Sequence, residues 1–189
     1  MTVLSATAIP GLVLLEPRRF GDSRGFFAET WNRRTFASLG LDVDFVQDNH
    51  SLSREAGTLR GLHYQAPPHA QAKLVRCGRG RLLDVAVDIR RGSSTYGMWV
   101  AEELSFENAR QLYVPKGFLH GFVTLEPDTE IIYKCSDFYV PEAEGSVRWD
   151  SASLGIEWRL AVVPVLSPRD ADAVDFDTFE SPFSWSDMQ

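Results

Sequence analysis

The sequence predicts an all-β protein, an antiparallel sandwich or barrel, and three observations carry that prediction. Short segments alternate apolar and polar side chains, as in residues 83–89, where branched apolar side chains alternate with Asp84 and Asp88. Turn residues such as Gly78-Arg79-Gly80 separate these segments at short intervals. Helix-period segments between the strands are missing, which argues against a βαβ fold. A length of 189 residues fits a single domain, 1–189, with a substantial core.

The elements follow one another in order along the chain. We predict strands over residues 12–15, 26–31, 46–52, 83–89, 98–106, 111–114, 120–125 and 130–140. Gly21 to Gly25 is predicted as a turn or loop. A short helix is predicted over 32–39, with Asn32 as its cap and Gly40 as its stop. Ser167-Pro168-Arg169-Asp170 is typical of a second helix start, with serine at the cap and proline at the first position.

Charge and composition exclude several classes of protein. The net charge of −7 and the pI near 5.1 argue against a general binder of nucleic acid or membrane surfaces. The two cysteines, Cys77 and Cys135, lack the spacing of a disulfide framework or metal cluster and are predicted as buried free thiols. We see no signal-peptide pattern in residues 1–10 and no apolar run of membrane-spanning length. The cytoplasm is therefore the expected compartment.

The stretch from Leu59 to Leu82 is the predicted centre of the functional site. It reads as a strand, a Pro-Pro loop and a second strand, and it carries Arg60, His63, His69, Lys73 and Arg76. An imidazole inside a barrel can act as a base, a metal ligand or a hydrogen-bonded core residue, and position alone leaves these readings open. A closed apolar interior would not tolerate the neighbouring cations unpaired, whereas a pocket open to an anionic ligand would accept them. The sequence therefore indicates an anion-binding pocket around His63.

Consecutive polar side chains mark the strand predicted over 46–52. They are Gln47, Asp48, Asn49 and His50. Because side chains alternate along a strand, Gln47 and Asn49 share one face, and Asp48 and His50 share the other. One pair is expected to point inward, where amides suit hydrogen bonding to a polyhydroxy ligand. The alternative is an edge strand whose two faces are both exposed to solvent.

Pro115-x-Gly117-x-x-His120 matches the second half of the cupin pattern, a strand–turn–strand unit that brings a histidine into a jelly-roll interior. The first half of that pattern needs His-x-His, but His63-Tyr64-Gln65 lacks the second histidine. A metal site needs three or four converging ligands, and only His63 and His120 are clear candidates, with His69 a poor third. We therefore predict a cupin-like double-stranded β-helix, a jelly-roll barrel with a few short peripheral helices and no metal.

Several motifs together carry a resemblance to a known family. They are Phe20-Gly-Asp-Ser-Arg24-Gly-Phe-Phe-Ala-Glu29, Gln47-Asp48-Asn49, Leu59-Arg60-Gly61-Leu62-His63, Gln71-Ala72-Lys73-Leu74-Val75, Pro115-Lys116-Gly117-Phe118-Leu119-His120-Gly121-Phe122 and Tyr133-Lys134-Cys135. In order, from about residue 9 to 172, the sequence resembles the dTDP-4-dehydrorhamnose 3,5-epimerase family. The resemblance implies a jelly-roll homodimer, no cofactor, and a dTDP-4-keto-6-deoxyhexose substrate in dTDP-rhamnose biosynthesis.

The reaction implied by the resemblance requires a base, an acid and a group that holds enolate charge. An imidazole suits the base because its pKa lies near neutrality, and the resemblance assigns that task to His63. It pairs His63 with Asp170, which would fix the tautomer and stabilise the imidazolium. A helix-capping role for Asp170, after Ser167, is the alternative. Lys73 is implied to hold the enolate charge, and Tyr133 to be the acid opposite His63; a solvated lysine and a core aromatic are the alternatives.

The resemblance also implies a set of substrate-binding residues. A guanidinium fork suits phosphate oxygens, and three arginines resemble positions that contact the nucleotide diphosphate or base: Arg24, Arg60 and Arg169. Other positions resemble further substrate contacts, namely Phe20, Glu29, Gln47, Asn49, Lys73, His120 and Glu144. Phe20 and Phe27 could stack on thymine. Tyr139 is expected to face the same way as Tyr133, six residues earlier on one predicted strand. Arg60 and His63 have opposite parity, so both can line one pocket only with a bulge or from a strand end.

We predict epimerisation at C3 and C5 of dTDP-4-dehydro-6-deoxy-D-glucose, giving dTDP-4-dehydro-L-rhamnose. A mono-epimerase acting at C3 or C5 alone would share every residue named above. A metal-dependent cupin oxygenase is a rival from another class, and Gln65 counts against it. A sugar-binding module without catalysis is a third reading. Dimerisation is implied by the resemblance, and the strand around Leu12 is the candidate for adding to a partner's sheet.

Overall fold

The computed structural model describes residues 2–188 and has the predicted all-β fold, with two antiparallel sheets facing each other. In chain order the strands are β1 (Val3–Ala6), β2 (Val13–Glu16), β3 (Arg19–Asp22), β4 (Gly25–Ala28), β5 (Gln47–Ser53), β6 (Leu59–Gln65), β7 (Lys73–Arg79), β8 (Arg81–Asp88), β9 (Trp99–Ser105), β10 (Gln111–Val114), β11 (Phe118–Thr124), β12 (Thr129–Cys135) and β13 (Glu144–Ser146). The six-stranded sheet has the order β1-β2-β10-β7-β12-β5, and the five-stranded sheet has the order β13-β6-β11-β8-β9. The helices are α1 (Arg33–Ser38), α2 (Pro168–Ala171) and short 3-10 turns at Pro141–Ala143, Phe176–Thr178 and Trp185–Met188.

The core between the sheets follows from side-chain alternation. On β8, Leu82 and Ala86 belong to the cluster between the two sheets, whereas Leu83 and Val85 face the outside of the barrel. Residues 147–183 of the C-terminal part pack over these outward side chains. The strand is therefore buried on both faces, and the C-terminal part serves as a cover for the five-stranded sheet.

The chain from Arg19 to Ala28 forms a hairpin rather than a loop followed by a strand. β3 pairs with β4, and Phe20 lies directly opposite Phe27. Gly25 has a φ of 132°, a conformation that glycine adopts without steric cost. The loop predicted over 21–25 is shorter than expected, because β3 continues to Asp22 and β4 begins at Gly25. The strand predicted over 26–31 ends at Ala28. Cross-strand pairing, which local alternation does not reveal, sets these limits.

β12 ends at Cys135, well before the predicted end at Val140. Cys135 pairs with Gln47 on one side and with Lys73 on the other, and these are the first residues of β5 and β7. Because β5 and β7 run antiparallel to β12 and begin at these residues, β12 has no strand to pair with beyond Cys135, and the chain leaves the sheet. The argument that placed Tyr139 on the same strand as Tyr133 was wrong, because Tyr139 lies in the irregular segment 136–140.

The edges of the six-stranded sheet are formed by β1 and β5, not by the strand around Leu12. β2 pairs with β1 on one side and with β10 on the other, so it cannot add to a partner's sheet. This corrects the prediction for the Leu12 region. Val3 on β1 is 57% exposed, as expected for an edge strand.

Both predicted helix caps are confirmed. Asn32 Oδ1 accepts hydrogen bonds from the backbone N–H groups of Arg34 (3.0 Å) and Thr35 (3.3 Å) at the start of α1. Ser167 Oγ accepts the backbone N–H of Asp170 (3.2 Å) at the start of α2. In the described part of the chain, the helices are too short and too polar to cross a membrane.

The two cysteines are buried free thiols, as predicted. Burial raises the pKa of Cys77 to about 11 and also raises the pKa of Cys135 above its usual range. At neutral pH both therefore stay protonated and unreactive.

Candidate active site

A bulge brings Arg60 and His63 to the same face of β6. His63 pairs with His120 on β11, and Arg60 pairs with Phe122, so three steps along β6 match two steps along β11. Residues directly opposite each other in an antiparallel ladder share a face. Because His120 and Phe122 face the barrel interior, Arg60 and His63 do so too. The extra residue in β6 resolves the parity conflict that the sequence raised.

His63 and Asp170 form a short hydrogen-bonded pair. His63 Nε2 lies 2.6 Å from Asp170 Oδ1, and the side chains are 26% and 4% exposed. Asp170 also accepts hydrogen bonds from Ser167 Oγ (2.7 Å) and from the backbone N–H of Gly61 (3.3 Å). Burial alone would raise the pKa of Asp170, but these hydrogen bonds and the nearby imidazole hold it below its usual value. Asp170 therefore has both predicted roles: it lies in the first turn of α2, and from there its carboxylate contacts His63.

Lys73 and Tyr133 stand on the opposite sheet. Lys73 is the first residue of β7, and Tyr133 lies on the adjacent β12, where Tyr133 pairs with Val75. Lys73 Nζ lies 6.0 Å from the centre of the Tyr133 ring. Burial lowers the pKa of Lys73, opposed by Cys135 and nearby carboxylates, and burial raises the pKa of Tyr133. The pocket thus holds an ammonium whose pKa lies below that of an ordinary lysine, beside a phenol whose pKa lies above that of an ordinary tyrosine.

A pocket lies between the two sheets. Its lining consists of Gln47, Asn49, His63, Tyr64, Gln65, Gln71, Lys73, Tyr133, Tyr139 and Glu144. The inward pair on β5 is therefore Gln47 and Asn49, whereas Asp48 and His50 lie on the outer face, where His50 contacts Glu130. Tyr139 enters the pocket from an irregular segment rather than from a strand. Its presence there was predicted, although the reason given for it was wrong.

A polar triad stands at the mouth of the pocket. The Tyr139 hydroxyl donates to Glu144 Oε2 (2.6 Å), and Arg169 Nη1 donates to the same oxygen. Burial of Glu144 is outweighed by these two hydrogen bonds, so its pKa lies below the usual value. Tyr139 and Arg169 are each about half exposed, so a ligand can reach them.

His120 lies deeper than the sequence suggested. It is 6% exposed, and its Nε2 lies 2.8 Å from Asp84 Oδ1. Within residues 2–188 it is not among the side chains that line the His63 pocket, but it lies beneath His63 on the neighbouring strand. Asp84, which the sequence analysis did not select, is fully buried and acts electrostatically on Lys73. A carboxylate at a position of β8 whose neighbours on the same face, Leu82 and Ala86, are apolar was the signal that could have identified it.

Gln65 occupies the place where the cupin pattern has its second histidine. Its amide is hydrogen-bonded to backbone groups of two loops, so it is not free to bind an ion. His69 lies on the Pro-Pro loop with its Nδ1 3.6 Å from Asp137. Across residues 2–188 no three histidine, cysteine or acidic side chains are grouped so that they could hold a metal ion.

Besides His120, five of the predicted substrate-binding residues are not among the residues of 2–188 that line this pocket: Arg60 on β6, Arg169 on α2, and three residues at the β3–β4 hairpin. Phe20, Arg24 and Glu29 belong to the β3–β4 hairpin and the residue just after it, and they line separate surface hollows. Phe20 is 51% exposed and Phe27 is 70% exposed. Arg24 forms an ion pair with Asp22 on the hairpin itself. Among residues 2–188 none of the side chains that line the His63 pocket comes from this hairpin.

An imidazole on one sheet, a phenol on the facing sheet and an ammonium beside it can move a proton between the two faces of a carbon next to a carbonyl group, which is the chemistry that an epimerase needs. Residues 6–178 match the family described as dTDP-4-dehydrorhamnose 3,5-epimerase, and the chain belongs to that family. Its activity is epimerisation at C3 and C5 of dTDP-4-dehydro-6-deoxy-D-glucose, a step of dTDP-rhamnose biosynthesis.

Individual relatives agree with this assignment. The dTDP-4-dehydrorhamnose 3,5-epimerase of Salmonella typhimurium is 52% identical over 174 residues, covering 92% of this chain and 94% of the relative. A Legionella pneumophila 3,5-epimerase solved with dTDP-4-keto-L-rhamnose is 44% identical, with a TM-score of 0.92 over 95% of each chain. A 3′-monoepimerase from Streptomyces bikiniensis, solved with dTDP-quinovose, is 36% identical, with a TM-score of 0.86 over 91% of this chain and 87% of that one. The cupin-like fold is thus common to both kinds of epimerase. The Salmonella relative, which is about half identical to this chain, is a 3,5-epimerase.

Proposed function

We propose that His63 removes the proton from C3 and C5 of the sugar and that Tyr133 returns a proton to the opposite face. The observation that carries this proposal is that His63 and Tyr133 belong to facing sheets and line one pocket. When the C–H bond breaks, its electron pair moves to the C4 oxygen, and the ammonium of Lys73 stabilises the enolate. When the enolate collapses, the carbon takes the phenolic proton of Tyr133; the imidazolium of His63 then gives its proton to solvent, and the phenolate takes one back from solvent. This sequence inverts one carbon and is repeated at the other.

Asp170 determines which imidazole nitrogen acts. Its lowered pKa keeps the carboxylate ionised at neutral pH, so it accepts the Nε2–H of His63. That tautomer leaves the lone pair on Nδ1 free to take a carbon-bound proton. The carboxylate also stabilises the imidazolium that forms, which is its role in related dyads.

The remaining pocket residues are proposed to hold the substrate. Gln47 and Asn49 offer amides to the sugar, and Tyr139 with Glu144 stands at the mouth. Arg60 and Arg169 are proposed to bind the diphosphate, because a guanidinium fork matches two phosphate oxygens. His120 is proposed to contact the substrate from the floor of the pocket, and its hydrogen bond to Asp84 holds the imidazole in place.

We also propose that the protein is a homodimer in which the hairpin of one subunit completes the pocket of the other. Phe20 and Arg24 lie outside the pocket of their own chain, and the exposed Phe20–Phe27 face is suited to stack on a thymine. The open edge of β1 offers a site for a partner strand. In this arrangement Arg24 would reach the nucleotide bound by the partner.

A mixing experiment tests the shared pocket. His63→Ala and Arg24→Ala proteins are each expected to be impaired, and refolding them together should create hybrids with one intact pocket. An equal mixture should regain about a quarter of the wild-type activity, because half of the dimers are hybrids and each has one good site. Activity no greater than the average of the two parents would place Arg24 in its own chain's pocket or outside any pocket.

The alkaline limb of the pH–rate profile is expected to report Lys73. Because burial lowers the pKa of Lys73, the ammonium is lost at a lower pH than in an ordinary lysine, and kcat/KM should fall there. Tyr133 does not cause this limb, because burial raises its pKa. Lys73→Arg, which stays charged, should lose the limb even if its rate is lower, whereas Lys134→Arg on the outer face should keep it. A limb that stays in place in Lys73→Arg would contradict the enolate role.

Three coarser predictions complete the proposal. Residues 1–189 are proposed to form one domain; residues 1 and 189 lie outside the described residues. The absence of a required cofactor and the cytoplasmic location stay predictions from the sequence.

A further inference from the structure

Gln65 lines the pocket, but the proposed chemistry gives it no task. It lies two residues after His63 on β6 and is 5% exposed. A buried amide needs hydrogen-bond partners, so its contacts show what it holds in place.

All three hydrogen bonds of the Gln65 amide go to main-chain groups. Its Nε2 donates to the carbonyl of Phe138 (2.9 Å) and to the carbonyl of His69, and its Oε1 accepts the N–H of Val140 (2.9 Å). The intervening N–H of Tyr139 donates to Gln47 Oε1 (2.9 Å). Two glutamine side chains therefore hold three consecutive residues, 138–140.

These bonds are important because residues 136–140 have no strand or helix to hold them. The segment presents the Tyr139 side chain to the pocket, where its hydroxyl donates to Glu144. Glu144 is in turn the direct cross-strand partner of Gln65 on β13. The side-chain amide of Gln65 thus holds the main chain that carries Tyr139, while the main chain of Gln65 pairs with Glu144, the hydrogen-bond acceptor of Tyr139.

We propose that Gln65 is a positioning residue of the epimerase: it holds residues 138–140 against β6 and so fixes Tyr139 over the sugar. Where the cupin pattern has a metal-binding histidine, this chain has Gln65, whose amide holds the main chain of residues 138–140 in place. The inference rests on the proposal that Tyr139 is one of the pocket residues that hold the substrate. Both carbons must be presented to His63 and Tyr133 in turn, so a displaced Tyr139 misaligns the ring without weakening the hold on the nucleotide.

Gln65→Leu removes all three hydrogen bonds at similar volume. The expected result is a loss in kcat of about 10- to 100-fold, as for small misplacements of a reacting group, with an unchanged Kd for dTDP. The ratio of deuterium incorporated at C3 and at C5 in heavy water should also change. Gln65→Glu, which keeps the acceptor for Val140 but loses both donors, should show the same pattern and serves if the leucine variant does not fold. Gln111→Leu is the matched control, because Gln111 is equally buried but lies on the outer side of the six-stranded sheet.

A double-mutant cycle separates positioning from general stability. In a Tyr139→Ala background, Gln65→Leu should cause little further loss of kcat, because the side chain through which it acts is gone. An equal loss in both backgrounds, or a wild-type kcat in Gln65→Leu with folding verified by thermal unfolding, would overturn the proposal. A wild-type protein that does not epimerise the substrate would instead contradict the residue roles proposed above, and that is seen before any variant is made.

Discussion

His63→Ala is expected to lose nearly all epimerase activity while still binding dTDP. The variant removes the base, and general base catalysis contributes about 10²- to 10⁴-fold. The nucleotide contacts proposed for Arg60 and Arg169 do not involve the imidazole, so the Kd for dTDP should stay at the wild-type value. Substrate turnover and dTDP titration calorimetry measure the two effects separately.

The control for this variant is His50→Ala. His50 lies on the outer face of β5 and contacts Glu130, so its loss should leave kcat unchanged. Solvent exchange at C3 or C5 at the wild-type rate in His63→Ala would remove His63 from the mechanism. Loss of dTDP binding together with activity would show instead that the substitution had disrupted the pocket.

Tyr133→Phe is expected to separate proton exchange from inversion. His63 can still remove the proton from the sugar, and its side chain is open enough to solvent to exchange that proton before returning it. Without the phenol, the carbon is reprotonated from the face it left. The variant should therefore incorporate deuterium into substrate of unchanged configuration, while formation of dTDP-4-dehydro-L-rhamnose falls by about 10²- to 10⁴-fold. Proton NMR in heavy water measures both quantities in one sample.

Tyr113→Phe is the matched control for the phenol. Tyr113 is also buried, and burial raises its pKa to about 12, but it packs in a separate cluster with Leu15 and Phe36. Its variant should keep both exchange and inversion. Wild-type product formation in Tyr133→Phe would contradict the assignment of Tyr133 as the acid, and joint loss of exchange and inversion would place Tyr133 in proton removal.

The parts of the fold that could be predicted depend on local chemistry. Alternation identified β8 and placed Gln47 and Asn49 on one face of β5, because each strand residue faces opposite to its neighbours, but it left open which face points inward. Caps at Asn32 and Ser167 were predictable because a single side chain satisfies the free N–H groups of the first turn.

The parts that could not be predicted depend on partners distant in sequence. The end of β12 at Cys135 is set by where β5 and β7 begin, and the bulge in β6 is visible only against β11. The approach of Asp170 to His63 spans more than a hundred residues, so the family resemblance rather than local pattern supplied it. Gln65 was seen only as a lost metal ligand, because its contacts lie in a loop whose course the sequence does not reveal.

The measurement that tests the central claim most directly is proton NMR and mass spectrometry of dTDP-4-dehydro-6-deoxy-D-glucose incubated with the wild-type protein in heavy water. Proton removal at both carbons next to the C4 ketone predicts deuterium at C3 and at C5, together with conversion to dTDP-4-dehydro-L-rhamnose. Deuterium at one carbon alone, or none with a folded protein that binds dTDP, would contradict a pocket in which His63 and Tyr133 invert both centres.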